Sequence, residues 1–173
     1  MRTTWIVACL IIAGCAHEPL AALPPAGVDL SGHWRLNTAD SDDPQRLVQS
    51  IGDGEPAAMP FSAIGDALQW PGNDLVIKQL GGVVAFTSEG ESRVYEPATS
   101  SPRRTRGGAH RRSSRTCGWS GRRLIVKVTP DEGPALEARY QESADGRRLI
   151  QQITPAGDNS RSLTLIRVWD RVP

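Results

Sequence analysis

From Asp74 onward the chain alternates apolar and polar residues with a period of two. The runs DLVIKQL, VVAFTSE, SRVYEP, RRLIVKVT, ALEARYQES, RRLIQQIT and SLTLIRVWD are short and rich in branched or aromatic side chains, the composition that suits a pleated, half-buried surface. Alternation is clearest where Leu136, Ala138 and Tyr140 face one way and Glu137, Arg139 and Gln141 the other. Leu124, Val126 and Val128 oppose Arg123 and Lys127 in the same manner. Between the runs stand GG, EG, SG, EG, DG and AGDN, residues that admit the positive φ a tight hairpin needs. An earlier strand is expected in VDLSGHWRLN, marked by Leu30, Trp34 and Leu36. The pattern predicts a mainly β fold, an antiparallel meander of about eight strands. Closing it into a barrel removes the exposed edges that a flat sheet would leave.

One short helix is expected directly after the first strand. In SDDPQRLVQSIGDG, Asp43 can cap, Pro44 suits the first helical position and Gly52 follows the last apolar residue. Leu47, Val48 and Ile51 then share one face. The following EPAAMPFSAIGDALQWPGND has turn residues throughout and no clean period.

Ahead of the domain, Trp5 to Gly14 are all apolar or glycine, and the run ends at Cys15. A bilayer's hydrocarbon core needs about 20 apolar residues in a helix, roughly twice this length. Arg2, the short apolar run and the small residues before the break have the layout of a secretory signal peptide. Residues 1–14 are therefore expected to leave the mature chain. Residues 15–29, rich in Ala, Pro, Gly and Leu without periodicity, are expected to form a lipidated N-terminus and flexible tether, and residues 30–173 the β domain.

Two resemblances sharpen this division. Ile12-Ala13-Gly14-Cys15 resembles the lipobox of bacterial lipoproteins, which implies a diacylglyceryl thioether on Cys15, cleavage before it and acylation of the new amino group. Such chains anchor at about 0.8 kcal/mol per buried methylene. Ala16, in place of Asp, implies the outer membrane by the enterobacterial sorting rule, with the domain facing the periplasm. Gly32-His33-Trp34 is similar to the G-x-W motif of lipocalins and the wider calycin group. That likeness implies that Gly32 and Trp34 close one end of the barrel and that a last-strand arginine packs across the tryptophan; Arg167 and Arg171 are the candidates, and Arg167 is expected to be the closing residue. LSGHWRLN, SDDP and the final RVWDR also resemble a group of uncharacterised secreted and lipid-anchored bacterial β proteins, a likeness that carries no activity.

Charge narrows the partners. The full chain has a formal net charge of +1, and loss of Arg2 balances it, so no global field recruits nucleic acid. Positive charge is instead concentrated in Arg103, Arg104, Arg106, Arg111, Arg112 and Arg115 around a Gly-Gly break. Guanidinium pairs of this kind suit anionic head groups, whereas stacking on nucleic acid would need interleaved aromatics that the stretch lacks. A solvated loop explains the same arginines equally simply.

Nothing in the pattern points to catalysis, a cofactor or a metal. His17, His33 and His110 share no ligand spacing, and Asp40, Asp42 and Asp43 are explained by capping. Cys117 is either a thiol activated by Arg115 or a buried filler. With Cys9 lost in the signal and Cys15 acylated, it has no disulfide partner.

Two functional classes are left. One is a lipid-anchored envelope protein whose barrel binds a small amphiphilic or anionic ligand. The other is a filled barrel that docks another envelope protein as an inhibitor or assembly module. For the anchor, globomycin treatment should accumulate an uncleaved precursor with residues 1–14 attached, read on an immunoblot; normal maturation would rule out acylation at Cys15.

Overall fold

A computed structural model describes residues 19–44, 70–97, 114–129, 135–155 and 164–173. They form nine strands: β1 (Gly32–Leu36), β2 (Asp74–Leu80), β3 (Val83–Ser88), β4 (Glu91–Pro97), β5 (Ser114–Ser120), β6 (Arg123–Thr129), β7 (Leu136–Glu142), β8 (Arg148–Pro155) and β9 (Leu165–Val172). Each pairs with its neighbours in sequence, and β9 returns to β1, so the sheet is a closed barrel.

The count corrects the expectation of about eight strands. The additional one is β5, SRTCGWS, whose alternation is diluted by polar residues at its start and by Gly118. Its presence also breaks the antiparallel meander. Each antiparallel junction reverses strand direction, so a closed ring must contain an even number of them, and nine strands cannot all be antiparallel. The parallel junction falls between β4 and β5, where only Glu96 pairs with Thr116 and Pro97 with Cys117. The other junctions are antiparallel. A parallel pair needs a connection of a dozen residues or more, and residues 98–113, which hold most of the arginine cluster, supply it.

Among the described residues the helical one is Pro44, the position expected to open the helix after the first strand. The helix expected from Asp43 to Gly52 lies, beyond Pro44, outside them.

One end of the barrel is plugged. Trp34 is fully buried, its indole Nε1 donates to the Leu30 carbonyl at 3.1 Å, and the Arg171 guanidinium lies 4.2 Å from its ring centroid. Arg171 is held there by the carbonyls of Ser31 and Gly146 and by the Glu142 carboxylate at 2.6 Å. Gly32 leaves room for it, because a Cβ at that position would stand 2.7 Å from Arg171 Nη1. Leu30 and Val28 complete the plug from the chain that precedes β1.

Residues 19–29 fall within the stretch expected to be a tether, yet they lie on the barrel. Ala21 exchanges two backbone hydrogen bonds of 2.8 Å with Trp119, and Leu20 covers Gly118, where a side chain would collide with it. Beyond Pro97, β5 has no β4 partner, and this segment takes the vacant edge.

Trp34→Ala should lower stability by about 3–5 kcal/mol, the usual cost of emptying a buried aromatic site, measured by urea denaturation. An unchanged midpoint would remove Trp34 from the closure.

Candidate binding site

Inside the barrel, register places three polar side chains in one row. Tyr140 on β7 pairs with Gln151 on β8, and Gln151 pairs with Arg167 on β9. All three are buried. Apolar rows lie on either side, with Ala138, Ile153 and Leu165 away from the plug and Leu149 and Trp169 toward it. The phase of alternation requires this arrangement, since Leu149 and Ile153 bring Gln151 inward and Leu165 and Trp169 bring Arg167 inward.

The row is only partly satisfied. Gln151 Nε2 donates to the Tyr140 hydroxyl at 2.8 Å, while Gln151 Oε1 has no partner. Arg167, 3% exposed, donates through Nη1 to the Pro71 carbonyl at 2.5 Å and through Nη2 to the Gly72 carbonyl at 3.2 Å. Its guanidinium lies 4.8 Å from the Trp169 ring centroid, and its Nε has no partner among the described residues. Among the described residues no carboxylate forms an ion pair with it. Burial lowers its pKa to about 10, partly opposed by Tyr140, so it remains a cation at neutral pH. Burial also raises the Tyr140 phenol far above its ordinary value, so the hydroxyl keeps its proton.

The segment that Arg167 grips carries Trp70 into the lumen. Trp70 stacks on Phe86 with centroids 6.2 Å apart, and the Arg93 guanidinium sits 4.0 Å from the Trp70 centroid. Gly72 N–H donates to Ser88 Oγ, which itself donates to the Asp74 carbonyl. Phe86 in turn meets Tyr95 and, across the lumen, Tyr140, with centroids 5.3 and 4.9 Å away. Trp70 comes from the connection between β1 and β2 and not from the wall. Its position depends on packing and on the Arg167 latch.

The residues singled out in the sequence separate into different places. Gly32 and Trp34 sit at the plug, and the guanidinium over Trp34 belongs to Arg171, whereas Arg167 lies deeper in the lumen. Arg115 is exposed at the start of β5; Cys15 and the arginines at 103, 104, 106, 111 and 112 lie outside the described residues. Asp40 pairs with Arg148 and Asp42 accepts the Ile166 N–H. Sequence reasoning passed over Tyr140 and Gln151 as a polar pair, although the alternation it used already points both inward.

No protein-family model and no curated protein matches the chain. Among solved structures it is similar to the REP1-NXSQ fatty acid transporter, with a TM-score of 0.51, 14% identity, and coverage of 84% of this chain and 97% of that one. A fatty acid-binding protein from brain tissue of Drosophila melanogaster matches at a TM-score of 0.46 and 10% identity, over 82% and 99% of the two chains. At such identities the first likeness speaks for the fold alone, a closed β-barrel.

Cys117 is buried between the Gly82 and Tyr95 carbonyls, and burial, with the Glu96 charge, raises its thiol pKa to about 11. It is a filler and not an activated nucleophile. Iodoacetamide at pH 8 should therefore modify it about a hundredfold more slowly in the native protein than in denaturant, as its thiolate fraction dictates. Equal rates would place the thiol at the surface.

Proposed function

We propose that the protein is a lipid-anchored component of the bacterial envelope, facing the periplasm, whose barrel binds a single-chain amphiphile with an anionic head. The anchor reading is supported by the lipobox ending at Cys15 and outer-membrane sorting by Ala16. The binding reading is carried by one observation: a guanidinium buried in the lumen with, among the described residues, no acidic partner and no partner for its Nε. Burying an unbalanced cation is costly, and a carboxylate supplied by a ligand offsets that cost.

The neighbouring groups fit such a head. Arg167 Nε–H and the Tyr140 hydroxyl are two donors in one inward row with Gln151 between them, and an ionised carboxylate is an acceptor for donors of this kind. Charge-assisted bonds are roughly twice as strong as neutral ones, so the carboxylate competes with the Pro71 and Gly72 carbonyls for the guanidinium. Losing those carbonyls frees the segment that holds Trp70, and Trp70 is the side chain that must give way for an acyl tail. The alternative, a filled barrel that docks another protein, is favoured by Phe86 meeting Tyr140 across the lumen. Under it no ligand is taken.

The two readings separate by titrating delipidated protein with palmitate and with hexadecanol, which share a tail and differ in charge. A hydrogen bond to a charged group contributes about 1.5–3 kcal/mol, so the acid should bind at least about tenfold more tightly. Arg167→Leu should bring the ratio near one; Tyr140→Phe, which keeps the volume, should lower acid affinity about tenfold. Acid preference should also fade as pH rises through about 10, where Arg167 loses its proton. Equal affinity for acid and alcohol in the unmodified protein, or no binding of either, would overturn the ligand reading.

A further inference from the structure

The two most exposed large hydrophobic residues described, Leu80 at 75% and Leu23 at 64%, flank a single contact. Leu80 opens the β2–β3 turn, whose Gly82 lies directly against the Ala22 carbonyl, so closely that a Cβ there would collide with it. Leu23 follows Ala22. Both leucines therefore stand at the plugged end, beside the segment that Ala21 fixes to Trp119 with two hydrogen bonds. Neither side chain belongs to the hydrophobic core formed by the described residues.

The length of chain between this segment and Cys15 says what covers them. Had residues 15–29 been a free tether, a flexible chain of that length would span about 20 Å on average and roughly 50 Å when stretched. The barrel is docked from Leu20, however, so the chain from Cys15 to that point is five residues, at most about 17 Å fully extended. That is shorter than the barrel itself, whose seven-residue strands run for about 23 Å. An acylated Cys15 held that close cannot let the domain turn freely.

From this geometry we infer that the plugged end rests on the bilayer that carries the anchor, with Leu23 and Leu80 inserted among the lipid head groups, and that the end nearer Arg167 points away. The inference rests on acylation at Cys15. Side chains that contact the interface bury apolar area at the depth of the acyl boundary, about 5–10 Å below the surface, which two leucines on a turn and an adjoining strap reach without any helix. The end of the barrel nearer Arg167 then faces the aqueous compartment and not the lipid.

The test uses the full, lipidated chain in nanodiscs. A single environment-sensitive NBD label is placed at Leu80→Cys or at Ser92→Cys, an exposed site near the β3–β4 turn at the opposite end; buried Cys117 stays unlabelled. Doxyl-labelled phospholipid quenches by proximity, and the mass of the N-terminal peptide is read from the same sample. Quenching about threefold stronger at position 80 than at position 92 supports the orientation, given the shallow depth of interfacial insertion. Equal quenching with a diacylated Cys15 peptide means the domain tumbles and overturns the orientation while leaving the anchor intact. Stronger quenching at position 92 reverses it. An unmodified Cys15 peptide with no quenching at either site overturns both.

Discussion

Closure of an odd-stranded barrel is the constraint from which much of this molecule follows. Nine strands in a ring require a parallel junction, and here it is short, two residue pairs between β4 and β5. Because β4 ends at Pro97, the last residues of β5 have a free edge, and an exposed edge is a template for another strand. The chain ahead of β1 occupies it through Ala21. What reads by composition as a linker thus becomes part of the wall, and Leu30 and Val28 are carried into the plug.

Within that frame, β9 places two arginines four residues apart on one inward face, and their surroundings give them different work. Arg171 lies at the plug, where three acceptors, one of them the Glu142 carboxylate, balance its charge. Among the described residues Arg167 has two backbone carbonyls and the Trp169 face. Low dielectric strengthens a satisfied polar network and penalises an incomplete one. The incomplete one sits beside Tyr140 and Gln151, and it holds the Trp70–Gly72 segment across the lumen. Closure and the proposed recognition are therefore separate functions of one strand.

Much of the wall was legible in the sequence because alternation depends only on neighbours two residues apart. DLVIKQL and the runs after Gly121 coincide with strands to within three residues at either end. β5 escaped because Ser114, Arg115 and Thr116 are polar without a break and Gly118 removes a side chain from the pattern. Which arginine covers Trp34 was not legible, since Arg167 and Arg171 share a phase and only the register of β1 on β9, pairing Trp34 with Arg171, separates them. The docking of residues 19–22 depends on an edge made by distant strands, and local composition carries no trace of it. Gln151 and Tyr140 were visible as inward positions, but their meaning came from seeing which of their atoms lack partners.

The claim that an anionic head meets Arg167 in the lumen is tested most directly by NMR of palmitate carrying carbon-13 at the carboxyl, bound to the protein and titrated with acid. A carboxylate beside a buried cation keeps its charge to lower pH, so the bound resonance should titrate at least about one pH unit below the ordinary carboxylate range. A bound carboxyl that titrates in or above that range would contradict the account.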